Sequence, residues 1–211
     1  MIVRLLLAAV AGAILALLIA SFSGSVLGGA GFGTPADDSA EAGFARDMAT
    51  HHAQAVEMGF VVRDRSTDPE LRALAYDIIS TQSTQRGIFM GWLQEWGLPQ
   101  GSTQPRMAWM GMGHAGMTPA PGEPLMHGMA SAEELRQLEM ATGVDAEIRF
   151  LQLMIRHHEG GVIMARAVVA RSKRPEVVQM AKAIDSGQTV EIALMKEMLA
   201  RRGARPLPSI L

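Results

Sequence analysis

Two adjacent histidines occur twice in this chain, as His51-His52 in HHAQAVEMG and as His157-His158 in HHEGGVIMA. Met48 and Met154 stand three and four positions ahead of the pairs, and Met58 and Met164 follow them. On a helix, residues three and four apart share a face while neighbours point about 100° apart, so one ring of each pair can face inwards while the other lies on its flank. Imidazole with thioether makes a donor set for a soft cation. Thioether favours Cu(I) and imidazole serves either oxidation state of copper; zinc fits less well, lacking thiolate or a carboxylate-histidine set. A methionine on an apolar stripe is ordinarily core filling, and a lone histidine there is ordinarily hydrogen-bonded. The repetition of the pair at equivalent places turns the balance toward metal.

A second donor-rich stretch lies between the pairs. Met107, Met110, Met112, His114 and Met117, then Met126, His127 and Met129, interleave with glycine and proline within residues 98–130. No helical or strand period survives there, which reads as a long loop, and loops of that length are functional or disordered. A flexible backbone of this kind can wrap several sulfurs around a soft ion. A Gly-Pro-rich loop is expected to have little core to fill, so packing is not expected to account for these methionines.

The elements that must position these groups follow from a duplication. Sliding the chain against itself by 106 positions pairs Phe44 with Phe150, Met48 with Met154, both histidines, Met58 with Met164, Pro69 with Pro175, Ile78 with Ile184 and Gln82 with Gln188. Apolar residues at helical spacing predict a first helix from about Ser39 to Arg65. A second starts at Asp68-Pro69-Glu70 and stops at Gly97. Ser131 with Glu134 forms a capping box that opens a third helix running to about Arg171, and a fourth spans Pro175 to Gly203. The fold expected is all-α: a four-helix bundle over 38–205, made of two duplicated hairpins joined by the long crossover. Gln82 and Gln188 are placed opposite the histidines, either as hydrogen-bond partners that would fix their tautomers or in solvated or structural roles. Trp92, Trp96 and Trp109 are read as packing or loop-anchoring residues.

Composition narrows the partners. The net charge is -2 with acids and bases mixed, so no basic field exists to hold a nucleic-acid backbone. The absence of cysteine excludes disulfides, thiolate zinc sites and iron-sulfur clusters. From Leu5 to Ala20 every residue is apolar or glycine, with Arg4 the one charge before Asp37. Residues 1–22 are therefore expected to be a transmembrane signal anchor, favoured over a cleaved signal peptide because no clean small-residue cleavage site follows. Residues 23–37, rich in Gly, Ser and Ala, are expected to tether it to the domain. Arg4 on one side and the acids after residue 36 on the other orient the domain outside the cytoplasm, secreted or periplasmic if the signal is cleaved.

The strings FARDMATHHAQAVEMG, DPELRALAYDIISTQ, WLQEWG and FLQLMIRHHEGGVIMA resemble the family called domain of unknown function 305, over about residues 40 to 203. The resemblance implies a ferritin-like bundle and, from family members that bind Cu(I) and Cu(II) in the periplasm, copper binding through Met48, His51, His52, Met58, Met154, His157, His158 and Met164. The function expected is a membrane-tethered, extracytoplasmic copper-binding protein that buffers copper or hands it to a partner protein. Two alternatives stand beside it, a ferritin-like metal-dependent oxidoreductase and a non-metal structural or partner-binding bundle. A di-iron enzyme would need inward carboxylates with Glu-x-x-His motifs, and no such motif occurs.

Overall fold

The computed structural model describes residues 32–111 and 122–211. The apolar N-terminal run and the candidate ligands Met112, His114 and Met117 lie outside the described residues. Among the described residues there are five α-helices and no strand, and no helix is long and apolar enough to cross a membrane.

Helix α1 (Ala40–Arg65) starts where Ser39 Oγ accepts the Ala42 amide. Helix α2 (Pro69–Glu95) starts where the Asp68 carboxylate accepts the amides of Glu70 and Leu71, beside a proline whose missing N–H the first turn does not need. The capping box of Ser131 and Glu134 is present, but the helix it opens, α3 (Ala132–Met140), ends after nine residues. Ala141 and Thr142 are extended, and Gly143 turns left-handed at φ 56° before α4 (Gly143–Val169) begins. The single helix expected from Ser131 to Arg171 is thus two, because glycine supplies at position 143 a conformation that side chains disfavour. The break lets α3 fold back and bury Leu138. Helix α5 (Pro175–Arg201) completes the helices of the described residues.

α1 pairs with α2 and α4 with α5, giving two hairpins whose contact runs along α1 and α4. These two helices are antiparallel. Ser66, just past the end of α1, donates to Glu147 near the start of α4 at 2.5 Å, while Met110, held near the start of α1, accepts from Arg171 just past the end of α4.

The core divides in two. One cluster holds Met58, Val62, Leu71, Ile78, Phe150, Met154 and Met195; the other holds Phe44, Met48, Phe89, Leu93, Met164, Val177 and Ile184. The 106-residue repeat exchanges them: Phe44 of the second cluster matches Phe150 of the first, and Met58 of the first matches Met164 of the second. The two repeats are therefore related by a pseudo-twofold axis that passes between the clusters.

The crossover loop is attached, in contrast to expectation. Met107, Met110, Met126 and Met129 are buried in the second cluster, so packing does account for these four sulfurs. Three bonds to the buried Asp47 carboxylate hold the loop's first arm: Arg106 Nη1 at 3.0 Å, the Met107 amide at 2.8 Å and Trp109 Nε1 at 2.9 Å. Trp109 packs against Gly43, where a Cβ would stand 2.3 Å from its ring. Gln54 clamps the second arm by donating to the Ala130 carbonyl and accepting its amide. Before the bundle, Pro35 is buried, and Arg174 donates to the carbonyls of Phe32 and Gly33.

The second arm rests on a backbone-to-backbone contact at Gly160, where a Cβ would lie 2.4 Å from the His127 carbonyl oxygen and 3.1 Å from Gly128 Cα. Gly160→Ala should destabilise the protein by about 1–3 kcal/mol, since backbone cannot move aside as a side chain can. Gly91→Ala, on α2 with nothing within 4 Å of the new methyl, should instead be neutral or stabilising by up to about 1 kcal/mol. Urea unfolding of both variants checks the pair; equal midpoints would contradict the packing described.

Candidate metal centre

Between the two apolar clusters runs a layer of polar side chains, one set from each long helix. α1 contributes His51 and His52, α2 Gln82 and Gln85, α4 His157 and His158, and α5 Gln188 and Glu191. Apart from Glu191, each is buried, and the four imidazoles have no exposed surface. His51 and His157 meet on the pseudo-twofold axis with ring centroids 3.6 Å apart and planes 31° apart. His52 and His158 lie to either side, each reaching α2 or α5 of its own hairpin.

The partners fix the rings' orientations. His157 Nε2 lies 3.0 Å from the His51 carbonyl oxygen, and His158 Nε2 lies 2.8 Å from Glu191 Oε2. Carbonyl and carboxylate oxygens only accept, so in both rings Nε2 carries the hydrogen and donates. His52 Nε2 faces Gln85 Oε1 at 2.7 Å in the same way. In the neutral ring this leaves Nδ1 as the lone-pair nitrogen, and in all three cases Nδ1 is buried with no partner among the described residues. His51 has both nitrogens unpartnered.

Gln82 and Gln188 do not bond the histidines as expected. Both amides are buried with neither oxygen nor nitrogen paired among the described residues, and Gln188 packs against Gly161, where a Cβ would stand 2.2 Å from its Oε1. The imidazole partners are Gln85 and Glu191, one turn farther along, and sequence reasoning missed them. A signal existed: each stands 33 positions after its histidine, so the two are equivalent in the repeat.

Nine of the ten buried side-chain nitrogen and oxygen atoms without a partner among the described residues belong to this layer. A buried polar group left unpaired costs about 1–3 kcal/mol, so such groups are scarce in folded proteins. Their concentration on one axis marks a site whose chemistry is worth that cost. What the layer presents is lone pairs, and burial keeps them free. Burial first, then the neighbouring imidazoles, lower His51 well below the usual histidine value. His157 is lowered for the same reasons, and burial takes His52 to about 3. These rings are neutral at physiological pH, the state in which imidazole binds metals.

The sulfurs are less evenly placed. Met48 and Met154 are buried one turn from the histidines on α1 and α4. Met58 and Met164, also buried, lie two turns away, roughly 10 Å of helix rise, inside the apolar clusters. Met107, Met110, Met126 and Met129 share the second cluster with Met48 and Met164, whereas His127 is exposed. Among the described residues no three His, Asp or Glu side chains are grouped as a ready metal cage. The donor set of the layer is therefore imidazole pairs with adjoining thioether and amide groups. A soft monovalent cation, content with few ligands, suits that set better than an ion demanding a full shell of oxygens.

Comparisons with known proteins agree with this architecture. A family model described as "Domain of unknown function (DUF305)" matches residues 41–199. A putative secreted DUF305 protein from Streptomyces coelicolor is 47% identical, with TM-score 0.74 over 82% of this chain and 99% of that one. A DUF305 fragment from Deinococcus radiodurans is 34% identical, with TM-score 0.62 over 77% of this chain and 96% of that one. CopM in its Cu(II)-bound form is 28% identical, with TM-score 0.58 over 77% of this chain and 97% of that one. A comparison with curated proteins returns no match.

The lowered histidines predict a pH dependence. Between the unfolded value of 6.5 and the lower folded values, the unfolded chain binds more protons, so stability falls as pH falls through that window and is full above it. Every tenfold loss of proton affinity on folding is worth about 1.4 kcal/mol per group. The Tm of the metal-free protein should hold steady above pH 7 and decline continuously from pH 6.5 to 4.5. A Tm unchanged over that lower range would contradict the neutral, buried layer.

Proposed function

The chain belongs to the DUF305 family, and on that footing we propose that it is a copper-binding protein whose cargo is held in the histidine layer between its two hairpins. The observation that carries the reading is the set of buried Nδ1 lone pairs, three of them oriented by acceptors on the opposite ring nitrogen. The Cu(II)-bound state of a 28% identical relative, matched over 97% of its own chain, supports it. His51, His52, His157 and His158 are the nitrogen ligands, and Met48 and Met154 are the sulfur ligands nearest them. The thioethers bias the site toward Cu(I), and the imidazoles accommodate Cu(II) as well. Met58, Met164 and the loop residues Met107, Met110, Met112, His114, Met117, Met126, His127 and Met129 are further soft donors that the chain supplies.

In this reading the framework is a four-helix bundle of ferritin-like form, with α3 as an addition in the crossover. Residues 1–22 anchor it in the membrane and the bundle works outside the cytoplasm, where it buffers copper or passes it to a partner protein. Neutral buried imidazoles bind without first releasing protons, which keeps the site ready at neutral pH. At lower pH, protons compete for the same nitrogens as the layer loosens.

Replacing His51, His52, His157 and His158 together by glutamine should abolish tight copper binding, whereas replacing His127 alone should leave it at wild-type stoichiometry. Anaerobic titration of the full chain with Cu(I) against a chromogenic chelator, with elemental analysis after desalting, reads both. Undiminished copper in the quadruple variant would overturn the assignment, and iron or no metal in the wild type would overturn copper itself.

A further inference from the structure

A buried layer needs a way in, and the fold leaves one side open. The apolar clusters close the layer along the helices, but a cleft separates α2 from α5, lined among others by Thr81, Gln82, Ala183, Gln188 and Glu191. Gln82 and Gln188 are only 3% and 4% exposed, and both ends of both amides lack a partner among the described residues. Behind them stand His52 and His158, joined to the cleft through Gln85 and Glu191.

The charge of the cleft distinguishes it. Glu191 is the charged residue in its lining, its side chain 17% exposed, with Oε2 on His158. Asp77 on α2 is half-buried and close enough to Glu191 that burial and then that like charge push its carboxyl up. Neither carboxylate has a lysine or arginine partner among the described residues, whereas Asp47, Glu147 and Glu159, also buried, are met by Arg106, Arg202 and Lys196. Both also break the repeat. The equivalent of Asp77 is Ala183, and that of Glu191 is Gln85, so the duplication alone does not account for either acid. One unneutralised carboxylate in the lining of the cleft, with a second within electrostatic reach of it, attracts cations and raises their rate of arrival.

We propose that the cleft between α2 and α5 is the port by which a soft monovalent cation reaches the histidine layer, with Glu191 as its capture ligand, Asp77 as the second charge that draws it in, and the Gln82 and Gln188 amide oxygens as relay. This port rests on the copper reading above and adds its route. Glu191 binds the arriving ion through the carboxylate that also holds His158, so capture and delivery occur within one side chain's length. The ion then passes to an imidazole Nδ1, and Nε2–H of His158 returns to the carboxylate.

The test separates rate from capacity. Full-length protein is mixed in a stopped-flow instrument with Cu(I) supplied as its bicinchoninate complex, and loss of the complex's colour gives the loading rate. The double variant Asp77→Asn/Glu191→Gln should load about tenfold more slowly or worse and lose the decline of rate with added salt that the wild type shows, while Asp77→Asn alone should load severalfold more slowly yet reach wild-type stoichiometry. Ala183→Phe, which fills the cleft, should slow loading likewise, while Gly91→Phe, outside the cleft on α2, should load at the wild-type rate. Wild-type rate and salt dependence in the double variant would overturn the port, and this variant decides alone if Ala183→Phe fails to fold by circular dichroism. A wild type that takes no copper would instead overturn the functional reading itself.

Discussion

The structure turns on the face-to-face contact of two neutral imidazoles at the centre of the molecule. His51 and His157 sit 3.6 Å apart, centroid to centroid, with no exposed surface. Protonating both would place two charges at that distance in a medium of low dielectric, and among the described residues neither ring has an acidic partner to offset it. Neutrality of this pair is therefore a condition of packing α1 against α4. Because the main contact between the hairpins runs along α1 and α4, it is a condition of the whole assembly. The same neutrality leaves lone pairs, so what the fold requires and what a metal requires coincide.

Symmetry supplies the rest. A hairpin of about fifty residues buries too little by itself, and duplication gives it a partner of matching shape. The twofold axis that exchanges the apolar clusters necessarily brings the polar register of each helix to one level. Apolar packing above and below then seals the layer, and the crossover loop adds four methionines to one of the two clusters. The layer is not fully symmetric, however. His52 meets an amide and His158 a carboxylate, and a carboxylate behind an imidazole raises its basicity as a ligand. The two halves of the site thus differ in donor strength despite their common origin.

Much of this is legible in the residues, for identifiable reasons. The histidine pairs and their register can be read because a duplication repeats the pattern within one chain, and helical spacing puts His51 on the apolar stripe. The helix break at Gly143 is hidden because the apolar period continues across it; only the left-handed turn interrupts the chain. The burial of Met107, Met110, Met126 and Met129 escapes a sequence reading because composition reports a loop's flexibility but not its anchors. Those anchors, Asp47 and Gln54, stand on α1 more than fifty residues before the loop segments they hold. Spacing assigns the histidines to Gln82 and Gln188, one turn too early, a difference smaller than helix periodicity resolves without the rotation of each helix.

Nitrogen-15 NMR of the histidine side chains tests the central claim most directly, since it reports which ring nitrogen carries the proton and which meets the metal. The metal-free protein should show His52 and His157 as neutral Nε2–H tautomers, and stoichiometric Cu(I) should shift their Nδ1 resonances while Nε2–H persists. Protonated rings at pH 7, the opposite tautomer, or Nδ1 signals that Cu(I) leaves unmoved would contradict it.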